Sequence, residues 1–264
     1  MTSADGLAHV AGNLGLVPHT MRLVGGGVEP QTRLALANSA AVLGGLGFRA
    51  EWALALLCYV RHPSDLSAAQ RTCRAWLSRQ AQGARRPALL VLQVGGLPMG
   101  ALVEAQLEAC TGDAAVLAEE WEQESPGVRL RCSAYAVDST AGATERTRRV
   151  RLQCVALPTG EGSAVDLAHL PGAMRAATAA ALARLGAVGP LRGGSFARGF
   201  YDASIGVAHG AIERALREGS PGGEGGAAPV VMAVPVERIG HRRARLALQL
   251  QVAVALPGED GDDD

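Results

Sequence analysis

The chain has 264 residues, 25 basic and 25 acidic side chains, and no formal net charge at pH 7. Hydrophobic residues make up 48% and aromatic residues only 3%, so the chain can bury a substantial core. A neutral chain with few aromatic residues lacks the phosphate-neutralising charge and the stacking surfaces of nucleic-acid binders. We therefore expect no nucleic-acid partner.

All 25 basic residues are arginine. A chain without lysine has no Schiff-base nucleophile, no lysine general base and no P-loop lysine. The cysteines and histidines lack metal-ligand spacing, so we expect no metal site and reduced cysteines in the core. No apolar stretch of about 20 residues is present, and the N-terminus lacks signal-peptide features. These patterns predict a cytoplasmic protein without a membrane partner.

The first half of the chain predicts strands and helices in alternation. Helical spacing of apolar residues identifies the helices, and continuous apolar runs identify the strands. The predicted elements are an apolar hairpin at Gly6–Val24, helices at Pro30–Leu46 and from Ser64 to Gly83, and strands at Ala50–Val60, Ala88–Val94 and Ala101–Ala109.

The second half follows an acidic stretch, residues 116–127, which we expect to be a connector. A predicted hairpin comes next, and then helices and strands alternate again. The predicted elements are strands at Val128–Val137, Arg149–Leu157, Phe196–Asp202, Val230–Val236 and Ala244–Leu256, and helices at Leu167–Leu185 and Ser204–Glu218.

Both halves therefore have the order β–β–α–β–α–β–β. Pro87 precedes Leu97 by the same interval as Pro229 precedes Ile239. We predict an α/β (α+β) fold of two tandem units, each a mixed β-sheet with two helices on one face, whose open sheet face needs a partner. The expected boundaries are unit one at 1–115, the connector at 116–127, unit two at 128–257, and an acidic tail at 258–264.

Three stretches of the first unit resemble the Rid family, also called YjgF or endoribonuclease L-PSP. They are Ala8–Leu16 (AHVAGNLGL), Val28–Leu46 with Gln31-Thr32-Arg33, and Leu97–Glu104 (LPMGALVE). The resemblance covers about residues 7–110 and implies the chorismate-mutase-like Rid fold. Rid domains commonly form trimers, so it also implies that the two units form a pseudo-trimer with another Rid unit.

Within that family, Gly12–Met21 (GNLGLVPHTM) looks most like the last Rid unit of eukaryotic diphthine–ammonia ligase. That ligase converts diphthine on elongation factor 2 to diphthamide with ATP and ammonia. Its chemistry belongs to an ATP-pyrophosphatase domain with a Ser-Gly-Gly-Lys-Asp-Ser loop, which this lysine-free chain lacks. We therefore expect no cofactor in this chain and ATP in the full-length ligase. The chain starts inside the Rid unit, which favours a fragment or an incomplete gene model. The alternative that the chain is an independent gene product stays open.

The resemblance also locates a vestigial pocket. The carboxylate-binding arginine of deaminating Rid proteins falls at Leu89, the first-strand serine falls at Ala11, and the last-strand glutamate is retained as Glu104. Since leucine cannot pair with a carboxylate, we expect no catalytic residue here. The pocket positions are Ala11, Gly12, Asn13, Leu89, Val91 and Glu104.

Three functions stay open at this point. The leading hypothesis is a non-catalytic accessory region of the ligase, with another Rid unit, the catalytic domain or elongation factor 2 as partner. The alternatives are a free-standing small-molecule-binding Rid protein and a residual imine deaminase or ribonuclease. A basic cluster beside a turn is predicted to be a solvated hairpin rim rather than an RNA contact; it comprises Arg146, Arg148, Arg149 and Arg151.

Overall fold

The first half of the chain forms a sheet with two helices packed on it. The computed structural model describes residues 6–80, 87–111, 116–139, 146–159, 165–187, 189–192, 195–222, 227–240 and 243–256. The strands lie in the order β1-β6-β4-β5, with β5 parallel to β4 and the other pairs antiparallel. These elements are β1 (Leu7–Leu14), β2 (Leu16–Val17), β3 (Arg22–Leu23), α1 (Val28–Gly45), β4 (Ala53–Val60), α2 (Leu66–Gln80), β5 (Ala88–Gln93) and β6 (Val103–Cys110).

The second half forms a six-stranded sheet, again with two helices. Its strands lie in the order β7-β8-β9-β13-β10-β11, with β11 parallel to β10 and the other pairs antiparallel. These elements are β7 (Val116–Ser125), β8 (Val128–Ser139), β9 (Thr147–Leu157), α3 (Leu170–Arg184), β10 (Phe196–Asp202), α4 (His209–Gly219), β11 (Val230–Val236), β12 (Arg238–Ile239) and β13 (Leu246–Ala255).

The two sheets share a strand order. The arrangement β9-β13-β10-β11 matches β1-β6-β4-β5 in order and in strand direction, with the single parallel pair at the same end. Helices α1 and α2 pack on the first sheet, and α3 and α4 pack on the second. The mixed α/β fold with mixed sheets that the sequence predicts is confirmed.

Each sheet buries a core against its own helices. In the first half, Leu36 and Leu43 of α1 lie against Leu56 of β4 and Leu107 of β6, and all four side chains are fully buried. The second half has its own cluster, in which Leu170 and Ala177 of α3 and Ile212 and Leu216 of α4 are buried against the sheet. Alternate strand residues supply these cores, because successive strand side chains point to opposite faces.

The opposite faces of the two sheets pack against each other. Leu57 and Leu92 of the first sheet share a buried apolar cluster with Leu157 and Phe200 of the second. Phe200 is 1% exposed. Parts of the sheet faces that the helices leave open therefore cover each other, and the order of layers there is helices, sheet, sheet, helices.

The second half also adds a strand to the first sheet. Arg238 and Ile239 of β12 pair antiparallel with Gln93 and Leu92 at the outer edge of β5. The next residue, Gly240, donates its backbone N–H to the Val91 carbonyl at 2.7 Å. A Cβ at Gly240 would lie 2.9 Å from Val91 atoms, so glycine permits this close approach.

Several predicted elements differ from the structure. The acidic residues 116–127 do not form a connector: they contain β7 and the turn to β8. Their charges alternate with Trp121, which is buried against the core while Glu120 and Glu122 face solvent, as an edge strand requires. In the Gly6–Val24 segment, only β2 and β3 form a hairpin. The first strand, β1, pairs with β6 instead.

Helices α2 and α4, the second helix of each half, begin later than predicted. A short 3-10 turn at Pro63–Asp65 precedes α2, and another at Ala203–Ile205 precedes α4. The predicted helix end at Gly83 and the acidic tail at 258–264 lie outside the described residues. None of the described helices has the length and apolar character needed to cross a membrane.

Candidate functional site

Four of the six predicted pocket positions lie together at the junction of β1 and β6. The pairing register of these strands shifts between Val10 and Asn13, and beyond the shift Leu14 pairs with Glu104. A Cβ placed on Gly12 would lie 1.7 Å from Glu104 Oε1. Asn13 Nδ2 donates a hydrogen bond to the carbonyl of Ala11 at 2.8 Å. The irregular strand therefore brings the backbone of Gly12 against the Glu104 carboxylate.

Glu104 lies in an environment that favours its neutral form. Partial burial raises the pKa of this carboxyl. Among the described residues it has no hydrogen-bond or ion-pair partner. Tyr59 is its cross-strand neighbour on β4, and burial raises the pKa of the Tyr59 phenol while the charge of Arg198 lowers it. The carboxyl is thus a solvent-accessible acid or hydrogen-bonding group.

The other two positions lie elsewhere. Leu89 pairs with Leu56 of β4, whereas Glu104 pairs with Tyr59, three residues further along the same strand. An odd separation places two strand residues on opposite faces. Leu89 accordingly packs on the cluster beneath the helices, as Val91 does. Within this chain the structure does not bring Leu89 and Val91 together with Glu104.

Leu89 and Val91 instead line a cavity of about 620 Å³ between the two halves of the chain. One wall is α2, the second is the edge of β5, and the third consists of β7, β8 and β9 of the second half. The β5 wall is apolar, whereas the two other walls carry both polar and apolar side chains. The polar residues are Gln70, Arg74, Ser78, Glu120, Arg131, Ser133 and Gln153.

A partly buried polar cluster around Glu108 joins the two sheets. The Glu108 carboxylate of β6 accepts hydrogen bonds from Tyr135 of β8 and from Arg151 of β9. His9 Nδ1 lies 3.3 Å from Glu108 Oε1. Arg151 also donates to Gln251 Oε1 of β13 at 2.9 Å. The residues of the cluster therefore come from β1 and four other strands. The Glu108 carboxylate connects the two halves.

The charges of this cluster are mutually stabilising. Burial opposes ionisation of Glu108, but hydrogen bonds from His9 and Tyr135 and the charge of Arg151 outweigh it, so its pKa is lowered. Burial, followed by the negative charge of Glu108, raises the pKa of the Tyr135 phenol well above its usual value. Glu108 is therefore ionised and Tyr135 is neutral near pH 7.

The predicted solvated rim of arginines was wrong for two of its members. Arg151 belongs to the Glu108 cluster, and Arg148 pairs with Asp138 at 2.5 Å while donating to the Leu185 carbonyl at the end of α3. Both have partners distant in sequence, which a local charge pattern does not reveal. Arg74 of the cavity was also missed, because a single arginine on a helix carries no signal by itself.

The described residues contain no group of three histidine, cysteine, aspartate or glutamate side chains arranged to hold a metal ion. All five cysteines are free and buried. Cys58 and Cys73 lie within hydrogen-bond range of each other, as do Cys132 and Cys154. The hydrogen bond between Cys58 and Cys73, together with burial, raises the pKa of the Cys58 thiol. Burial first, and then the hydrogen bond from Cys132, raises that of Cys154. The Cys58 and Cys154 thiols are therefore poor nucleophiles.

Comparison with known proteins identifies the first half. Residues 1–111 match the family model described as Endoribonuclease L-PSP. The chain is 33% identical over 109 residues to the RutC family protein UK114 of Drosophila melanogaster, a match that covers 41% of this chain and 75% of that protein.

Solved structures match over a similar stretch. The Rid protein YyfA of Yersinia pestis is 27% identical, with a TM-score of 0.37, over 40% of this chain and 82% of that one. The YjgF gene product of E. coli is 20% identical, with a TM-score of 0.38, over 41% of this chain and 84% of that one. Through its first 111 residues, the chain belongs to the endoribonuclease L-PSP family, also known as the Rid or YjgF family.

Proposed function

We propose that the chain is a non-catalytic accessory region of diphthine–ammonia ligase, built from two Rid units in tandem. The observation that carries the proposal is the shared strand order of the two sheets, β1-β6-β4-β5 and β9-β13-β10-β11. It supports a second Rid unit at residues 128–257, although β7 also belongs to that sheet. The resemblance of Gly12–Met21 to the last Rid unit of the ligase supports the choice of enzyme.

The reaction itself is assigned to a separate domain. That domain would use ATP and ammonia to amidate diphthine on elongation factor 2, giving diphthamide. In this proposal the tandem supports the catalytic domain or presents elongation factor 2 to it. The proposal includes a cytoplasmic location for the chain.

The separation of the pocket positions supports a role without catalysis. An imine deaminase needs a cation for the substrate carboxylate and an acid that positions water. Here Leu89 supplies no charge, and Glu104 lies on the opposite face of the sheet. We expect the chain to leave the rate of 2-imino acid hydrolysis at the buffer level. Hydrolysis that disappears in Glu104→Ala would instead establish a residual deaminase.

The open face of β11 is the surface we propose for the partner. Val230 is 62% exposed and Met232 is 47% exposed. They alternate with Val231 and Ala233, which pack beneath the helices, so they project from the face that helices do not cover. Another Rid unit or the catalytic domain would bury these side chains.

Co-expression tests this proposal. The chain is produced with the ATP-pyrophosphatase domain of the same species in cells that lack the ligase, and diphthamide on elongation factor 2 is measured by mass spectrometry. We expect the two polypeptides to co-purify and amidation to rise. The double variant Val230→Glu/Met232→Glu should lose both effects.

Val42→Glu is the matched control. Val42 is an exposed apolar residue, at 44%, but it lies on α1, far from β11 in the fold. It should behave as the unchanged chain. Equal amidation with and without the chain, and no co-purification, would exclude the accessory role.

A further inference from the structure

A second, smaller cavity lies where the start of α2 meets the end of β10. Its volume is about 350 Å³. The first half contributes the beginning of α2, and the second half contributes the end of β10, β12 and the residues just before β13. None of the described residues of β5, β7, β8 or β9 lines it. Its walls therefore differ from those of the larger cavity.

A buried carboxylate holds one of the two arginines that line this cavity. Arg245 Nη1 donates to Asp202 Oδ2 at 2.6 Å, and the Asp202 side chain is only 2% exposed. Asp202 Oδ1 accepts from the backbone N–H and from the hydroxyl of Ser204, at 2.9 and 2.6 Å. Both carboxylate oxygens thus have partners. Since the Arg245 side chain is 49% exposed, its remaining N–H donors can reach a ligand in the cavity.

The second arginine has no counter-charge. Arg238 lies on β12, is exposed, and lines the same cavity. Among the described residues, no carboxylate lies within ion-pair distance of its guanidinium. Asp202 is the one carboxylate among the described residues that line the cavity, and Arg245 already offsets its charge. The cavity therefore has an excess of positive charge, which favours an anion.

The other walls restrict the kind of anion. Ser67 of α2 adds a hydroxyl donor, whereas Leu66 and Ile239 add apolar surface. Two guanidinium groups and a hydroxyl can donate to the several oxygens of a tetrahedral phosphate. The apolar surface can cover a short hydrocarbon group. A cavity of this size accommodates a small organic molecule.

We propose that this cavity binds a small phosphate monoester, with the phosphate on Arg238 and Arg245 and the organic group on Leu66 and Ile239. The buried Asp202 carboxylate positions Arg245 for this contact and does not touch the ligand. Because the binding involves neither the larger cavity nor the exposed face of β11, it goes beyond the accessory role and does not depend on it.

Calorimetric titration of the whole chain with propyl phosphate and propyl sulfate tests the proposal. The two probes have the same organic group, but near neutral pH the phosphate carries nearly two negative charges and the sulfate carries one. Propyl phosphate should bind about ten-fold more tightly. Arg238→Gln should weaken propyl phosphate about ten-fold and propyl sulfate about three-fold, because the attraction scales with the charge of the ligand.

A third probe tests the apolar wall. Inorganic phosphate has no organic group to place on Leu66 and Ile239, so it should bind several-fold more weakly than propyl phosphate. Equal affinities of these two probes would exclude a monoester site.

Arg214→Gln is the matched control. Arg214 is an exposed arginine on α4 that does not line the cavity, and its replacement removes the same charge as Arg238→Gln. Its affinity for propyl phosphate should equal that of the unchanged chain. Ser67→Trp places an indole in the cavity and should abolish binding of all three probes. Circular dichroism of each variant confirms that the fold is retained.

Four other results would overturn the proposal. The first is no binding of propyl phosphate, and the second is equal affinity for propyl phosphate and propyl sulfate. The third is an equal loss in Arg214→Gln and Arg238→Gln, which would indicate a response to net charge alone. The fourth is undiminished binding in Ser67→Trp, which would locate the bound probe outside the cavity.

Discussion

The two sheets have the same strand order but opposite charge on the faces that meet. The open face of β6 in the first sheet carries Glu104 and Glu108, whereas β9 and β10 in the second carry Arg151 and Arg198. Glu108 and Arg151 form an ion pair across the interface. Two copies of β6, or two copies of β9 and β10, would bring like charges together on these faces. The difference between the halves thus favours pairing of unlike units within one chain.

The apolar part of the interface should contribute more to the free energy of unfolding than its polar part. A buried aromatic side chain loses both transfer free energy and packing when it is truncated, whereas an ion pair gains little over its desolvation cost. The largest effects should therefore come from the shared apolar cluster, and smaller ones from the charges and from β12.

Phe200→Ala should have the largest effect. Phe200 lies in the apolar cluster between the sheets, 1% exposed, and its removal should cost about 4 kcal/mol of unfolding free energy. Urea denaturation measures it. Phe196→Ala on the same strand removes a partly buried ring and should cost about half as much or less. Equal losses would show that the sheets do not depend on this contact.

Arg151→Met should come next. It leaves Glu108 beside Tyr135 without its cation, and both charged side chains are mostly buried, at 25% and 20% exposed. We expect a loss of about 3 kcal/mol at pH 7. Arg33→Met breaks an exposed pair with Glu29 and should cost about 0.5 kcal/mol or less. A similar result for the two variants would contradict a structural role for the Glu108 cluster.

Gly240→Ala tests the strand that the second half adds to the first sheet. The new Cβ would lie 2.9 Å from the Val91 carbonyl, and backbone cannot move as a side-chain end does. Overpacking of this kind costs about 2 kcal/mol. In Gly210→Ala, on α4, the new Cβ meets nothing within 4 Å, so no loss is expected. Unchanged urea midpoints for both would mean that β12 pairing adds no stability.

The sequence predicted most of this fold but little of its interface. The bounds of β10 and β11 agree with the predicted strands because apolar runs identify them locally. The acidic composition of residues 116–127 indicates a solvated connector, because the sequence does not show that Trp121 is buried against the core. The sequence indicates a solvent-exposed rim for Arg151, because its partner, Glu108, lies 43 positions away. Contacts between halves depend on sheet packing, which leaves no periodic signal.

The smallest effect should be the response of the interface to acid. The folded-state pKa of Glu108 lies below the ordinary glutamate value. Its contribution to stability is therefore present above that ordinary value and is lost as pH falls through the folded-state pKa. Urea midpoints measured from about pH 6 to about pH 3 should fall less steeply in Glu108→Gln than in the unchanged chain.

Part of the acid response should persist in that variant. Burial opposes ionisation of Asp202, but its hydrogen bonds from Ser204 and Arg245 outweigh this and lower its pKa. The stabilising contribution of Asp202 is therefore also lost as the pH falls. Asp202 and its ion-pair partner Arg245 both belong to the second half. Identical pH profiles for Glu108→Gln and the unchanged chain would show that the acid response arises within the halves rather than between them.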